Sequence, residues 1–191
     1  MRPAEVRILD AAKACSERWG FEKVTVDDIA RESGVSRATL YRLFPGGKDV
    51  LFEALRLREL TDFFDVLTAE VGDVDDLVEL VVRLVATATA ELRADDHLAL
   101  MLAAEPGETL SQLTVDGLPR IMNVATEYLT PLVRPFVDEE RAVVLIDVLV
   151  RATISYFLAP SPYIDLGDRE AARTVVAPLV ASFARSADST T

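Results

Sequence analysis

Between Thr25 and Lys48 the chain reads TVDDIARESGVSRATLYRLFPGGK, residue types whose spacing suits docking a helix against duplex DNA. Thr25, with Asp28 three residues on, forms a capping-box pattern that starts one helix. Ile29 supplies an apolar anchor, and Ala30 is small enough for a second helix to cross closely. Gly34 accepts the left-handed conformation that ends a helix in a sharp turn, and Val35 plugs the corner. Ser36 caps a second helix that runs to about Phe44 and buries Leu40 together with Leu43 or Phe44. That helix turns Arg37, Ala38, Thr39, Tyr41 and Arg42 outward. From Ser33 to Lys48 there are three basic residues and no acidic ones. Such a face matches the major groove in width and in hydrogen-bonding chemistry.

The flanking segments supply the scaffold. Ile8, Ala11, Ala12, Cys15 and Trp19 recur at helical spacing over about Ala4 to Trp19, and Gly20 ends that helix. A long helix is expected from about Lys48 to Val71, after a Pro45-Gly46-Gly47 loop. Further helices are expected over about Val74–Arg93, Asp96–Ala104, Leu118 to Pro135, Glu139–Leu158 and Asp168–Ala184. Pro106-Gly107 reads as a break, and residues 107–117 give no clear pattern. Residues 186–191 read as a polar, disordered tail. The fold class is therefore all-α with about nine helices. The domains divide as a helix-turn-helix head over 1–47, a helical regulatory and dimerisation domain over 48–185 with the long helix bridging the two, and the tail.

Charge separates the same two regions. The net charge of −12 looks wrong for a nucleic-acid binder, but residues 1–60 carry +1 and residues 61–191 carry −13. An acidic body is repelled by DNA, so docking must use the local basic patch. The single cysteine excludes an intrachain disulfide and fits a reducing cytoplasm. The charged start MRPAEVR lacks the apolar core of a signal peptide. Asp147 and Arg151 interrupt the most apolar stretch, Ala142–Ala159, which reads as a buried helix rather than a membrane span. Those two residues, one turn apart, read as an intrahelical ion pair. One His and one Cys far apart give no metal site, and no nucleophile pattern accompanies His97, so neither an enzyme nor a cofactor is expected.

Residues 6–56 resemble the N-terminal domain of TetR-family transcriptional regulators: a preceding helix, the segment T-V-D-D-I-A-R-E-S-G-V-S-R-A-T-L-Y-R-L-F, a Lys, and an apolar fourth helix. Two features depart from the family pattern. Cys15 and Ser16 stand where a Leu-Phe pair is usual, with Trp19 where a polar residue is usual, and the Pro45-Gly46-Gly47 loop is one residue longer than its commonest form. Trp19 is expected to refill the volume left by Ser16, in which case Trp19→Ala would cost about 3–5 kcal/mol. The resemblance implies a cytoplasmic homodimer, formed by a four-helix bundle, on a palindromic operator. Half-sites would lie about 34–36 Å apart, or farther where dimers pair. It also implies repression released by a small-molecule effector that shifts the long helix. The apolar helices point to an apolar or amphipathic effector.

Arg37 and Thr39 lie where base edges are reached, and Arg37 can grip a guanine bidentately. Ala38 can meet a thymine methyl. Thr25, Ser36, Tyr41 and Lys48 suit phosphate, and Arg42 suits either. Met101, Met122, Tyr128 and Phe157 are candidate effector-pocket walls. Val143, Ile146, Val150, Ile154, Val176, Val180 and Phe183 are candidate dimer contacts, since a small protein leaves little core for helices that are apolar on several faces. A ligand-independent DNA-binding dimer, and lastly an all-α enzyme or binding protein, are the alternatives.

Overall fold

The computed structural model describes residues 1–183; the expected tail lies outside them. Ten helices follow in chain order: α1 (Pro3–Trp19), α2 (Val26–Ser33), α3 (Arg37–Leu43), α4 (Lys48–Val71), α5 (Leu77–Ala94), α6 (Asp96–Ala104), α7 (Pro106–Leu113), α8 (Leu118–Val133), α9 (Glu139–Leu158) and α10 (Arg169–Ala181). No strand occurs among the described residues. The helix beyond the nine expected is α7. Pro106 opens it instead of breaking the chain, because the first position of a helix needs no N–H and favours proline's fixed φ.

By compactness the chain divides within α4, into Met1–Thr61 with Asp96–Leu110 and Asp62–Asp95 with the chain from Ser111 on. In the first unit Ile8, Leu9, Ala11, Ala12 and Cys15 of α1 close over Ile29, Leu40, Leu51, Phe52 and Leu55. Arg58–Asp10 at 2.8 Å and Lys13–Glu59 at 2.9 Å tie α4 to α1 along the rim. Gly20 ends α1 at φ 81°, and a Cβ there would sit 2.8 Å from Glu105 Oε1. Burial pushes the Cys15 thiol up from its ordinary range, so it acts as a small apolar group.

Trp19 does not refill a gap left by Ser16. Ser16 is itself buried and donates its hydroxyl to the Lys13 carbonyl at 2.8 Å. Trp19 is 38% exposed, with the Arg18 guanidinium 5.1 Å from its ring centroid. Because α1 turns Trp19 off the buried stripe, Trp19→Ala should change stability by less than about 1 kcal/mol in a thermal melt, as surface substitutions do. A loss of about 3 kcal/mol or more would show instead that the ring is part of the core.

In the second unit α5 is the central helix. Leu77, Leu80, Val81, Leu84, Val85, Ala88 and Thr89 are buried, and α9 and α10 pack on it. Asp76, Asp138 and Asp168 cap α5, α9 and α10, each accepting a backbone N–H at 2.8–2.9 Å. Arg151 and Asp147 form the expected ion pair at 2.9 Å. Glu79 joins α5 to α10: it accepts from Arg83 at 2.8 Å and from Arg173, while Arg83 also donates to the Val71 carbonyl at 3.1 Å.

The bond from Arg83, helped by Arg173, holds the Glu79 carboxyl below its ordinary value of 4.5, against the opposing effect of burial. A depressed carboxyl contributes stability above its unfolded value and loses it as pH falls through the folded one. Acid unfolding of the wild-type protein should therefore steepen below about pH 4.5, and Glu79→Gln should flatten that limb. Circular dichroism melts between pH 3 and 6, on the scale of ordinary carboxyl titration, would check it; parallel acid limbs for the two proteins would remove Glu79 as a cause.

Candidate nucleic-acid interface

Three successive helix ends shape the surface around α3. Thr25 Oγ1 accepts the Asp28 N–H at 3.2 Å, and Asp28 accepts both the Thr25 N–H at 3.1 Å and the Thr25 hydroxyl at 2.6 Å. Those bonds hold the Asp28 carboxyl below the usual carboxylate range, with Arg31 adding to the effect. Gly34 takes φ 64°, where only glycine is unstrained, and the Val35 N–H returns to the Ala30 carbonyl at 3.2 Å. Val35 is buried in the corner. Ser36 then caps α3, accepting the Thr39 N–H at 3.2 Å and donating to Thr39 Oγ1 at 3.0 Å.

Seven residues are too few for a helix to persist alone, so tertiary contacts hold α3. Leu40 is fully buried and Phe44, just beyond the helix, nearly so. Leu43 is half-buried. Arg37, Ala38, Tyr41 and Arg42 are exposed, and Thr39 is half-exposed. The Tyr41 ring lies over the loop: a Cβ on Gly47, whose φ is 68°, would meet Tyr41 Cε1 at 3.2 Å. The longer loop thus brings a glycine under the tyrosine. Lys48 is half-buried, its Nζ 4.4 Å from the Phe21 ring centroid and donating to the Glu22 carbonyl at 3.2 Å. Phe21 in turn meets Phe52 edge-on at 4.8 Å.

One residue here escaped sequence reading. Asp27, in the first turn of α2, accepts a hydrogen bond from Arg37 Nη1 at 3.0 Å, and its other carboxylate oxygen lies 2.9 Å from Arg37 Nε. Counting charge only from Ser33 to Lys48 leaves it out. The signal that could have found it is positional: both residues sit at the start of their helices, which the Gly34 turn folds together.

The comparisons with known proteins bear on this surface. Residues 8–55 match the model for bacterial regulatory proteins of the tetR family, a span that runs from within α1 to the first turns of α4. Over those residues the chain is similar to the TetR family. An uncharacterised HTH-type transcriptional regulator of Mycobacterium tuberculosis, Rv2250c, is 35% identical over 127 residues, covering 62% of this chain and 65% of the relative. The chain thus spans just under two thirds of that relative's length. Among solved structures, the TetR-family repressor AlkX from Dietzia sp., implicated in biodegradation of n-alkanes, superposes with a TM-score of 0.69 at 20% identity, covering 95% of this chain and 97% of AlkX. The fatty acid degradation regulator FadR from Bacillus halodurans gives 0.54 at 22%, covering 94% and 93%. These two extend the TetR fold to the helices beyond the matched head.

Of the candidate pocket walls, Met122, Tyr128 and Phe157 lie half-buried in the second unit, and Met101 lies half-buried in the first. The Tyr128 ring is 5.7 Å from that of Phe64. Burial, then its hydrogen bond to Asp65, pushes the Tyr128 hydroxyl above its ordinary range. The candidate dimer contacts separate. Ile146, Val176 and Val180 are buried within the subunit's own core, so they have no surface to offer a partner. Val143 is exposed, as is its neighbour Val144, while Val150, Ile154 and Phe183 are half-exposed. Among the described residues, no helix is long and apolar enough to cross a membrane.

Proposed function

We propose that the protein is a sequence-specific, DNA-binding transcriptional regulator that acts as a homodimer in the cytoplasm. The observation that carries this reading is α3. It is a short helix anchored by Leu40 and capped by Ser36, and it presents Arg37, Ala38, Thr39, Tyr41 and Arg42 on its outer side. Arg37 and Thr39 meet base edges, Ala38 meets a thymine methyl, and Tyr41, Arg42, Ser36, Thr25 and Lys48 meet phosphates. Thr25 and Ser36 spend their hydroxyl protons on Asp28 and Thr39, so their part is to aim helix N-termini at phosphate.

The dimer contact we propose runs along α9 through Val143, Val144, Val150 and Ile154, with Phe183 beside α10. Two-fold symmetry then calls for a palindromic operator. We further propose repression relieved by an apolar or amphipathic effector held by Met122, Tyr128 and Phe157. Such an effector acts only through tighter binding to the DNA-incompetent state; a hundredfold preference supplies about 2.7 kcal/mol. AlkX and FadR, tied respectively to n-alkane and fatty acid degradation, make alkanes and long-chain acyl compounds the first effectors to try.

Selection of bound sites from random duplex DNA tests the reading. An enriched palindrome is the expected result and gives the half-site spacing. No enrichment at low salt, where phosphate contacts are strongest, in protein unfolded and refolded to strip any bound ligand, would exclude it.

A further inference from the structure

Arg37 and Asp27 make a close ion pair, with one hydrogen bond, at the start of α3. Nη1 donates to Oδ2 at 3.0 Å, and Oδ1 lies 2.9 Å from Nε. Both side chains are more than half exposed, at 62% and 56%. Ion pairs so exposed add little to folding stability, so stability does not account for the arrangement. Nor is Asp27 needed to cap α2, since Thr25 and Asp28 do that between themselves.

A guanidinium has five N–H donors in one plane. Asp27 takes one, from Nη1. The side-on fork, the Nε N–H and the Nη2 N–H parallel to it, makes no hydrogen bond among the described residues. That fork matches the O6 and N7 atoms of guanine. A long, flexible side chain thus has one edge fastened to the rigid start of α2 and its other edge presented. Fixing it before binding reduces the freedom lost on binding. The same carboxylate lies where phosphates approach, so it must also weaken binding to DNA in general.

We infer that Asp27 is a positioning residue for sequence readout: it holds the Arg37 guanidinium so that its free fork selects a guanine at one position of each half-site. This rests on the reading of α3 as the groove helix. Its distinctive consequence is that affinity and selectivity move in opposite directions when the carboxylate is removed.

The experiment is site selection from random duplex DNA with the wild-type protein and with Arg37→Ala, Asp27→Ala, Asp27→Asn and the Asp27→Ala/Arg37→Ala pair. Binding to the selected site and to scrambled duplex is then titrated. Arg37→Ala marks the position it reads by relaxing it. At that position Asp27→Ala should lower guanine preference by about tenfold, the scale of one bidentate base contact. Asp27→Asn, which keeps one acceptor, should fall between. Both should bind scrambled duplex more tightly than wild type and melt at nearly the wild-type temperature. In the Arg37→Ala background, Asp27→Ala should leave base preference unchanged. Undiminished guanine preference in Asp27→Ala overturns the inference alone, as does Arg37→Ala relaxing no position. If the wild-type protein enriches no site, the DNA reading fails and the inference with it.

Discussion

Replacing Arg37 and Arg42 together by alanine should abolish sequence-specific DNA binding while leaving helicity and melting temperature nearly unchanged. Both side chains are exposed on α3, and among the described residues the only ion pair between them and the fold is Arg37 with Asp27, itself exposed. A dimer would lose four arginines. At about 1–3 kcal/mol for each good bidentate base contact, the two Arg37 side chains carry a large share of the gap of about 4–10 kcal/mol between specific and non-specific binding, and the two Arg42 side chains carry phosphate affinity. The remaining positive group of the segment from Ser33 to Lys48, Lys48 itself, is engaged by the Phe21 ring and the Glu22 carbonyl. The acidic remainder of the chain then has little to offset its repulsion from DNA. Anisotropy titrations of the selected operator across several salt concentrations would read the effect. The salt dependence should also become shallower, by about 0.9 in slope for each phosphate contact removed. Specific binding retained to within about tenfold would mean that another element reads the DNA.

What could be read in advance was whatever depends on neighbours a few residues away. The Thr25–Asp28 box, the left-handed Gly34, the Val35 plug and the Ser36 cap are all local bonds, and each stands in the structure as its residue types dictate. Caps at Asp138 and the pair Asp147–Arg151 are local in the same sense. Features that depend on which surface meets which were not legible. Trp19 is apolar and at helical spacing, yet α1 rotates it outward, where Arg18 covers it. Ile146, Val176 and Val180 lie on apolar stripes that periodicity identifies without naming the neighbour; that neighbour is the subunit's own core around α5. Asp27 lies ten residues from Arg37, and only the fold of the turn makes them partners. Proline chemistry has two outcomes as well: Pro106 begins a helix where a break is expected, whereas Pro131 and Pro178 sit inside α8 and α10 as the expected helix spans require.

Leu40→Ala should have the complementary effect: a marked loss of stability with the reading surface left intact. Leu40 is the fully buried side chain of α3, and it meets the cluster formed by Ile8, Ile29 and Leu51. A helix of seven residues has no stability of its own, so this anchor sets where Arg37 and Arg42 stand. Deleting a buried leucine leaves a cavity and costs about 2–5 kcal/mol, a large share of the 5–15 kcal/mol that is usual for a domain. Nothing on the exposed face changes, because residues 37, 38, 41 and 42 keep their identities and the Ser36 cap remains. Well below its lowered midpoint, the variant should therefore bind the operator with close to wild-type selectivity, losing affinity only as the head unfolds. Urea titration followed by circular dichroism gives the first quantity, and operator titration at low and high temperature the second. A destabilisation under about 1 kcal/mol would mean that Phe44 and the caps position α3 without Leu40. Selectivity lost at low temperature, where the variant is folded, would mean that the groove helix has shifted on its bed, making Leu40 part of how bases are read as well as of how the head holds together.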